Sequence, residues 1–338
     1  MWLLTWMLSM GCVTKIVDRV TVDRIVGEGQ TVGDTQMPCA LGESLNHVLM
    51  ASQGKRTPNL GLLISNGTSG ICAQSKAWEE RLRAERAKVQ RPLTDSYRVA
   101  EIKDAQIAAK RWDRQTARRF YAAFTYAEAA FGSVDTPCPK IEERDESAYL
   151  VALISGTFAV LHDKQSDGTV GVPLDLLPKI ARASTCLDNE KWWHVPQALR
   201  GGIWATIPGS GPDDVDPWAL LDQAAKEGSN SGVRVAYAVG ALLANNAGET
   251  ERMRQFLVGH GDSVANTSRN QGFAFFDQYA YEVSLHQSDL LWVSSKGHRT
   301  PKLGDLPVSM EDIPSTQEDD PFDEGFGEGP SEDPFGTD

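Results

Sequence analysis

Basic charge is in deficit in this 338-residue chain: 33 Lys and Arg face 46 Asp and Glu, for a net charge of -13. Twelve of the acidic residues lie between Asp305 and Asp338, where there is no Lys or Arg, so the body that precedes them is almost neutral. With no basic stripe standing above the mixed surface charge, the sequence argues against a nucleic-acid partner. Long apolar runs are missing too. The start, MWLLTWMLSMG, is apolar over eleven residues, and a helix needs about 20 to cross a bilayer. Cysteine is sparse, five residues without a CxxC pair or a Cys/His cluster, so the familiar zinc spacings are excluded.

Signatures of catalysis are absent as well. GTSG at 67–70 has the wrong spacing for a nucleophile elbow. GEGQTVG at 27–33 places its last glycine one residue late for a dinucleotide loop. Neither a phosphate-cradling G-x-x-x-x-G-K-[ST] nor a zinc-holding H-E-x-x-H occurs, and the histidines (His47, His162, His194, His260, His286, His298) are scattered. The expectation is a protein that is not an enzyme and holds no cofactor or metal, although a site assembled from distant residues leaves no motif.

What the chain does have is helical rhythm. Trp218, Leu221 and Ala225 step by three and four, as do Val233, Ala236, Tyr237, Gly240 and Ala244, then Phe273, Phe276, Ala280, Val283, Gln287 and Leu290. Upstream, 40–53 reads as a helix with Leu41, Leu45, Val48 and Leu49 inward. The run after Pro58 carries Gly61, Gly67 and Gly70, where a neighbouring helix can approach closely, and a charged end at 79–88 expected to protrude. From about Ile102 to Phe131 the stripe Ala105, Ala109, Trp112, Thr116, Phe120, Ala123, Ala127 repeats, backed by a basic face (Lys110, Arg111, Arg114, Arg118, Arg119) best read as solvated. Residues 147–161 are apolar nearly all round, which places them centrally, and Pro173 is expected to open the next helix. Helices divided by turns this short pack antiparallel. The fold class expected is therefore all-α, a stack of antiparallel helical hairpins over 39–295, preceded by a short helical segment and Gly-rich loop at 13–38. The acidic tail at 296–338 is too polar to order itself. It holds Asp-Pro-Phe twice, at 320–322 and 333–335, as a docking motif or as part of a solubilising tail.

Hairpin geometry also pairs the cysteines. Cys39 and Cys72 fall almost equally far either side of a turn near residue 56, and Cys138 and Cys186 equally far either side of a turn near His162. Two disulfides, Cys39 with Cys72 and Cys138 with Cys186, are expected in an oxidising compartment. The alternative is four buried thiols in a cytosolic protein. Cys12 stands apart. The apolar run before it resembles the end of a bacterial lipoprotein signal (1–12), with Ser9 where Leu is usual and Leu8 one place further back, and without a basic start.

From Cys12 to about Trp292 the order of features resembles the T-component (TatT) family of tripartite ATP-independent periplasmic (TRAP) transporters: CALGESLNHVLM and NLGLLISNGTSGICA, then WWHVPQALRGGIWATIPGSG, DPWALLDQAAKEG, VAYAVGALLANNAGETERMRQFL and a closing helix to LLW. The irregular start, the paired cysteines, the charged extension around Arg81 to Arg114 and the acidic tail depart from the family. The resemblance implies a tetratricopeptide-like (TPR-like) helical repeat in a periplasmic lipoprotein. Cys12 would be acylated and would tether the protein to the outer membrane, and the protein would form an oligomer, a homotrimer in the family. It also implies a role as transporter accessory, passing a small hydrophobic or organic-acid ligand or docking the solute-binding subunit. Trp192, Trp193, Trp204 and Tyr237 are the candidates for an apolar lining, with Arg200 as anchor for a ligand carboxylate. Core packing is the competing role for each aromatic, and a cell-envelope scaffold for another envelope protein is the competing function.

Overall fold

Helix α5 (Glu146–Gln165) shows how composition sets position. Its sequence is apolar on every face, and Tyr149, Leu150, Leu153, Phe158, Ala159 and Leu161 are all buried in the main core. The computed structural model describes residues 16, 18–52, 57–89, 96–134 and 138–307. Cys12, the signal-like start and the acidic tail with its Asp-Pro-Phe tripeptides lie outside the described residues. Among the described residues every regular element is helical and no strand occurs.

The order is α1 (21–30, π-helical over Thr21–Val26 and α-helical over Gly27–Gln30), α2 (Gln36–Ala51), α3 (Asn59–Val89), α4 (Ser96–Phe131), α5, α6 (Leu176–Ala183), α7 (Val195–Thr206), α8 (Pro217–Ser229), α9 (Val235–Ala247), α10 (Thr250–Asn266) and α11 (Ala274–Lys296). Consecutive helices pack on one another, led by the long pair α3 and α4. The pattern departs from a one-dimensional stack in two places: α9 touches α7, α8, α10 and α11, and α11 returns to lie on α3. Standard punctuation ends the elements. Asp216 caps α8 by accepting from the backbone N–H groups of Trp218 and Ala219, with Pro217 in the first turn. Gly248 and Gly297 close α9 and α11 in the left-handed conformation.

Both cysteine pairs are at disulfide distance, with Cα separations of 5.4 Å for Cys39–Cys72 and 5.5 Å for Cys138–Cys186. The first joins α2 to α3 across the expected hairpin. The second has another basis than the one reasoned from spacing, because α5 runs on past His162 and turns only after Gln165. That turn is built by Asp163, whose carboxylate accepts from the backbone N–H groups of Val170, Gly171 and Val172 at 2.8, 3.0 and 2.8 Å.

Other boundaries move for identifiable reasons. Helix α4 starts at Ser96 and not near Ile102, because its first turns are solvent-exposed and carry no apolar stripe. The charged end of α3 does not protrude. Leu82, Ala84 and Ala87 are buried, and Arg83 pairs with Asp104 of α4 at 2.7 Å. Helix α6 begins at Leu176, since 173–175 form a turn. The glycines Gly27 and Gly29 sit in helix, leaving only 31–35 as the connection to α2. Of the four α2 residues expected inward, Leu49 alone is fully buried, while Leu41 and Val48 are exposed. The face that meets α3 runs through Cys39, Gly42 and Leu49 instead. At the other end, 297–307 folds back on the body: Leu303 is buried, Trp292 Nε1 donates to the Asp305 carbonyl at 3.0 Å, and the Arg299 guanidinium pairs with Glu79. The docked chain thus continues past residue 295.

Candidate ligand-binding site

A cavity lies between α1, α2, α3, α4, α5 and α11, and two glycines set how closely the helices around it approach. At Gly42 a Cβ would come within 2.7 Å of the Ser65 carbonyl oxygen, so only glycine lets α2 settle against the α3 backbone. At Gly70 a Cβ would lie 2.6 Å from Phe120, which lets α4 close onto α3. These two approaches hold α2 and α4 against α3. The space bounded by these helices is about 560 Å³, inside the range of small-molecule sites. Met37, Leu41 and Leu45 of α2 line one side, Ile64 and Ile71 of α3 and Val151 and Ile154 of α5 the floor, and Phe275, Phe276 and Tyr279 of α11 the far end. Arg24, Glu28 and Gln30 of α1 supply the charged and amide groups on its remaining side.

Polar side chains in the apolar part are largely spent on the helices themselves. Ser65 Oγ donates to the Leu62 carbonyl at 3.3 Å and Thr68 Oγ1 to the Ile64 carbonyl at 2.9 Å, so the surface they present is mainly hydrocarbon. Among the described residues no His, Cys or Asp lines the cavity. Its chemistry suits burial of an apolar body more than bond making.

Tyr279 opens a different environment. Its hydroxyl donates to Gln74 Oε1 at 2.6 Å; the Gln74 amide nitrogen lies 2.9 Å from His162 Nε2; and His162 Nδ1 lies 2.8 Å from Asp113 Oδ1. Arg81 completes the chain by pairing with Asp113 and Gln165. Since Gln74 offers an N–H to Nε2, the His162 proton resides on Nδ1 and points at Asp113. Burial pushes the His162 pKa down against the pull of Asp113, so the ring is neutral. Burial alone would raise the Asp113 carboxyl, but the His162 hydrogen bond and the Arg81 charge outweigh it and hold it below its ordinary value. Burial also raises the Tyr279 hydroxyl, which stays protonated as a donor.

The five residues expected to bind ligand lie elsewhere, and none lines this cavity. Trp192 and Trp193 come together in the core, rings edge to face at 5.5 Å. Trp192 Nε1 donates to Glu146 at 2.8 Å, and Trp193 meets Phe273 at 4.5 Å. Trp193 and His194, which follow Trp192, both adopt left-handed backbone, φ 51° and 57°. Arg200 is half-buried and donates to Ser184 Oγ at 3.3 Å, its pKa drawn down by burial. Trp204 covers Gly211, and Tyr237 stacks on His260 at 6.0 Å. A usable signal for the lining of this cavity did exist in the sequence. The helix that is apolar all round and the glycine-spaced helix beside it are the two that carry Ile64, Ile71, Val151 and Ile154 of the lining.

No family model, curated protein or solved structure matches the chain. Among the described residues no helix is long and apolar enough to cross a membrane, and no group of three metal-capable side chains occurs.

Proposed function

We propose that this protein is an extracytoplasmic binding protein for a small molecule with an extended apolar body, such as an acyl chain or a hydrophobic organic acid. The observation that carries the reading is the cavity of about 560 Å³, lined by aliphatic and aromatic side chains and offering charge only from α1. The two cysteine pairs at bonding distance support an oxidising compartment. Its resemblance to the T-component family extends the proposal to a periplasmic lipoprotein, acylated at Cys12, that serves a TRAP-type transporter by passing such a ligand or receiving the solute-binding subunit. Mass spectrometry of an organic extract of the purified full-length protein is the test. A reproducible, near-stoichiometric apolar acid or lipid is the expected result, and an extract free of any such compound refutes ligand carriage.

A second reading, a scaffold that docks another envelope protein, has its own observation. Met37 (64% exposed), Leu41 and Val48 (59%) share one solvent-exposed face of α2, and of these Met37 and Leu41 also border the cavity. Val48→Glu, placed away from the cavity lining, separates the two: it abolishes a docking function and leaves the extracted ligand unchanged if the protein is a carrier.

A further inference from the structure

A second, smaller cavity of about 110 Å³ lies between α3, α5, α9 and α11, and its walls mix polar side chains with Trp78, Phe158 and leucines, which makes it more polar than the first. His286 is the key to it. The residue is 4% exposed, its ring stacks on Trp78 at 4.7 Å, and neither ring nitrogen has a hydrogen-bond partner among the described residues. A buried imidazole without partners is costly, and this one borders a cavity. His260, also buried with Nε2 unpartnered, borders neither cavity described here and has Ser284 on its other nitrogen at 2.8 Å.

The hydrogen bonds already made around the cavity determine what remains to be satisfied. Gln287 Oε1 accepts from Asn245 at 2.7 Å, which leaves the Gln287 NH₂. Gln165 Oε1 accepts from Arg81, which leaves the Gln165 NH₂ and the other N–H groups of the guanidinium. Asn245 and Asn246 use their nitrogens on Gln287 and the Leu242 carbonyl, so they offer oxygens. Donors therefore outnumber acceptors. Asp113, the carboxylate that pairs with Arg81, does not line the cavity. Burial pulls the His286 pKa well below its ordinary value, and the Arg81 and Arg299 charges push in the same direction. The exposed side chain of Asn245 marks the way in from solvent.

We infer that this cleft is a binding site for a small oxyanion of carboxylate or phosphate size, held by the His286 ring N–H, Arg81 and the Gln165 and Gln287 amides. Its ligand is distinct from the apolar molecule proposed for the larger cavity, and the two proposals stand or fall separately.

The test is ¹⁵N imidazole NMR of the full chain, with the His286 signals identified by their loss in His286→Gln. Sodium formate, sodium acetate and inorganic phosphate are titrated separately at ionic strength held constant with chloride. A saturable shift of the His286 ring, with the exposed His298 unmoved, is the expected result. Saturation by formate or acetate identifies a carboxylate site, and saturation by phosphate alone identifies a phosphate site. Gln287→Leu is expected to weaken the wild-type affinity about tenfold, the loss of one good hydrogen bond. No saturable shift with any of the three anions, an equal shift at His298, or saturation by chloride itself overturns the inference, and the wild-type titration decides this even if the variants fold poorly.

Discussion

Two buried charge clusters in this molecule look alike in composition and differ in what they border. In the C-terminal half, Arg234 and Asp277 are each 2% exposed and form a pair at 2.8 Å. Asp277 also accepts from the Arg234 backbone N–H at 3.0 Å and from Arg269 at 2.9 Å, while the Arg234 side chain reaches Ser263 and the Thr267 carbonyl. This cluster closes on itself, tying the entry of α9 and the end of α10 to the start of α11. The Arg81–Asp113–His162–Gln74–Tyr279 chain in the N-terminal half is bonded just as fully, but Tyr279 lines the apolar cavity and Arg81 and His162 line the polar one. Polar groups whose bonds end on backbone and on one another serve the fold. A chain whose ends line two cavities shares its groups between the fold and the walls of those spaces.

The sharpest way to break the comparison is Asp277→Ala. Leaving Arg234 buried without its carboxylate is expected to cost about 3–5 kcal/mol, read as a large fall in the denaturation midpoint, with unchanged ligand content per folded molecule. Next come the disulfides. Replacing either pair by serines is expected to cost about 2–4 kcal/mol. Loss of Cys39–Cys72 should also loosen apolar ligand binding, because Pro38 and Ile71 beside those cysteines line the cavity; loss of Cys138–Cys186 should not. Calorimetry with and without a probe ligand distinguishes them. Asp113→Asn is smaller, about 1–3 kcal/mol for a weakened buried hydrogen-bond chain, and the signature to look for is a changed His162 tautomer in imidazole NMR. The effect that is smallest near neutral pH, and grows as pH falls, is on acid stability. Burial holds the His260 pKa near 3, against 6.5 when unfolded. A folded value below the unfolded one means that the stabilisation is present above about pH 6.5 and is lost as pH falls towards 3. The slope is roughly 1.4 kcal/mol per pH unit from this ring, measurable by urea titration at a series of pH values.

Much of the fold could be read from residue periodicity, and the reason is local. The stripes of α9 and α11, the glycines of α3 and the all-apolar α5 each record the neighbour they bury against, and Val233, Ala236, Ala244, Val283 and Leu153 are buried as the stripes require. Boundaries were hidden wherever the first turns of a helix face solvent, as at Ser96, or where charged residues pack through their neighbours' aliphatic parts, as at Leu82 to Ala87. The cavity was not legible, because it arises where α11 returns to α3 across more than two hundred residues of chain, a meeting that no window of sequence contains. Large aromatics drew attention to Trp192 and Trp193, which are buried in the core, and to Trp204 and Tyr237, which pack half-buried against it. The cavity instead depends on smaller residues, with Gly42 bringing α2 onto α3 and Gly67 and Ser155 among its lining. Gln74 and His162 were equally hidden: Gln74 is one of many polar residues in α3, and His162 is one of six scattered histidines until the fold sets the two side by side.

The central claim is that the larger cavity takes up an apolar body, and a fluorescent fatty acid titrated into wild-type protein and into Leu45→Trp tests it most directly. Leu45 sits half-buried on α2 and lines the cavity, so the larger ring fills the space from a peripheral helix. Saturable probe binding by the wild type, competed by unlabelled fatty acid and lost in a Leu45→Trp variant that melts like the wild type, is the result expected. Equal binding by the two proteins, or none by either after organic extraction of the wild type, would contradict it.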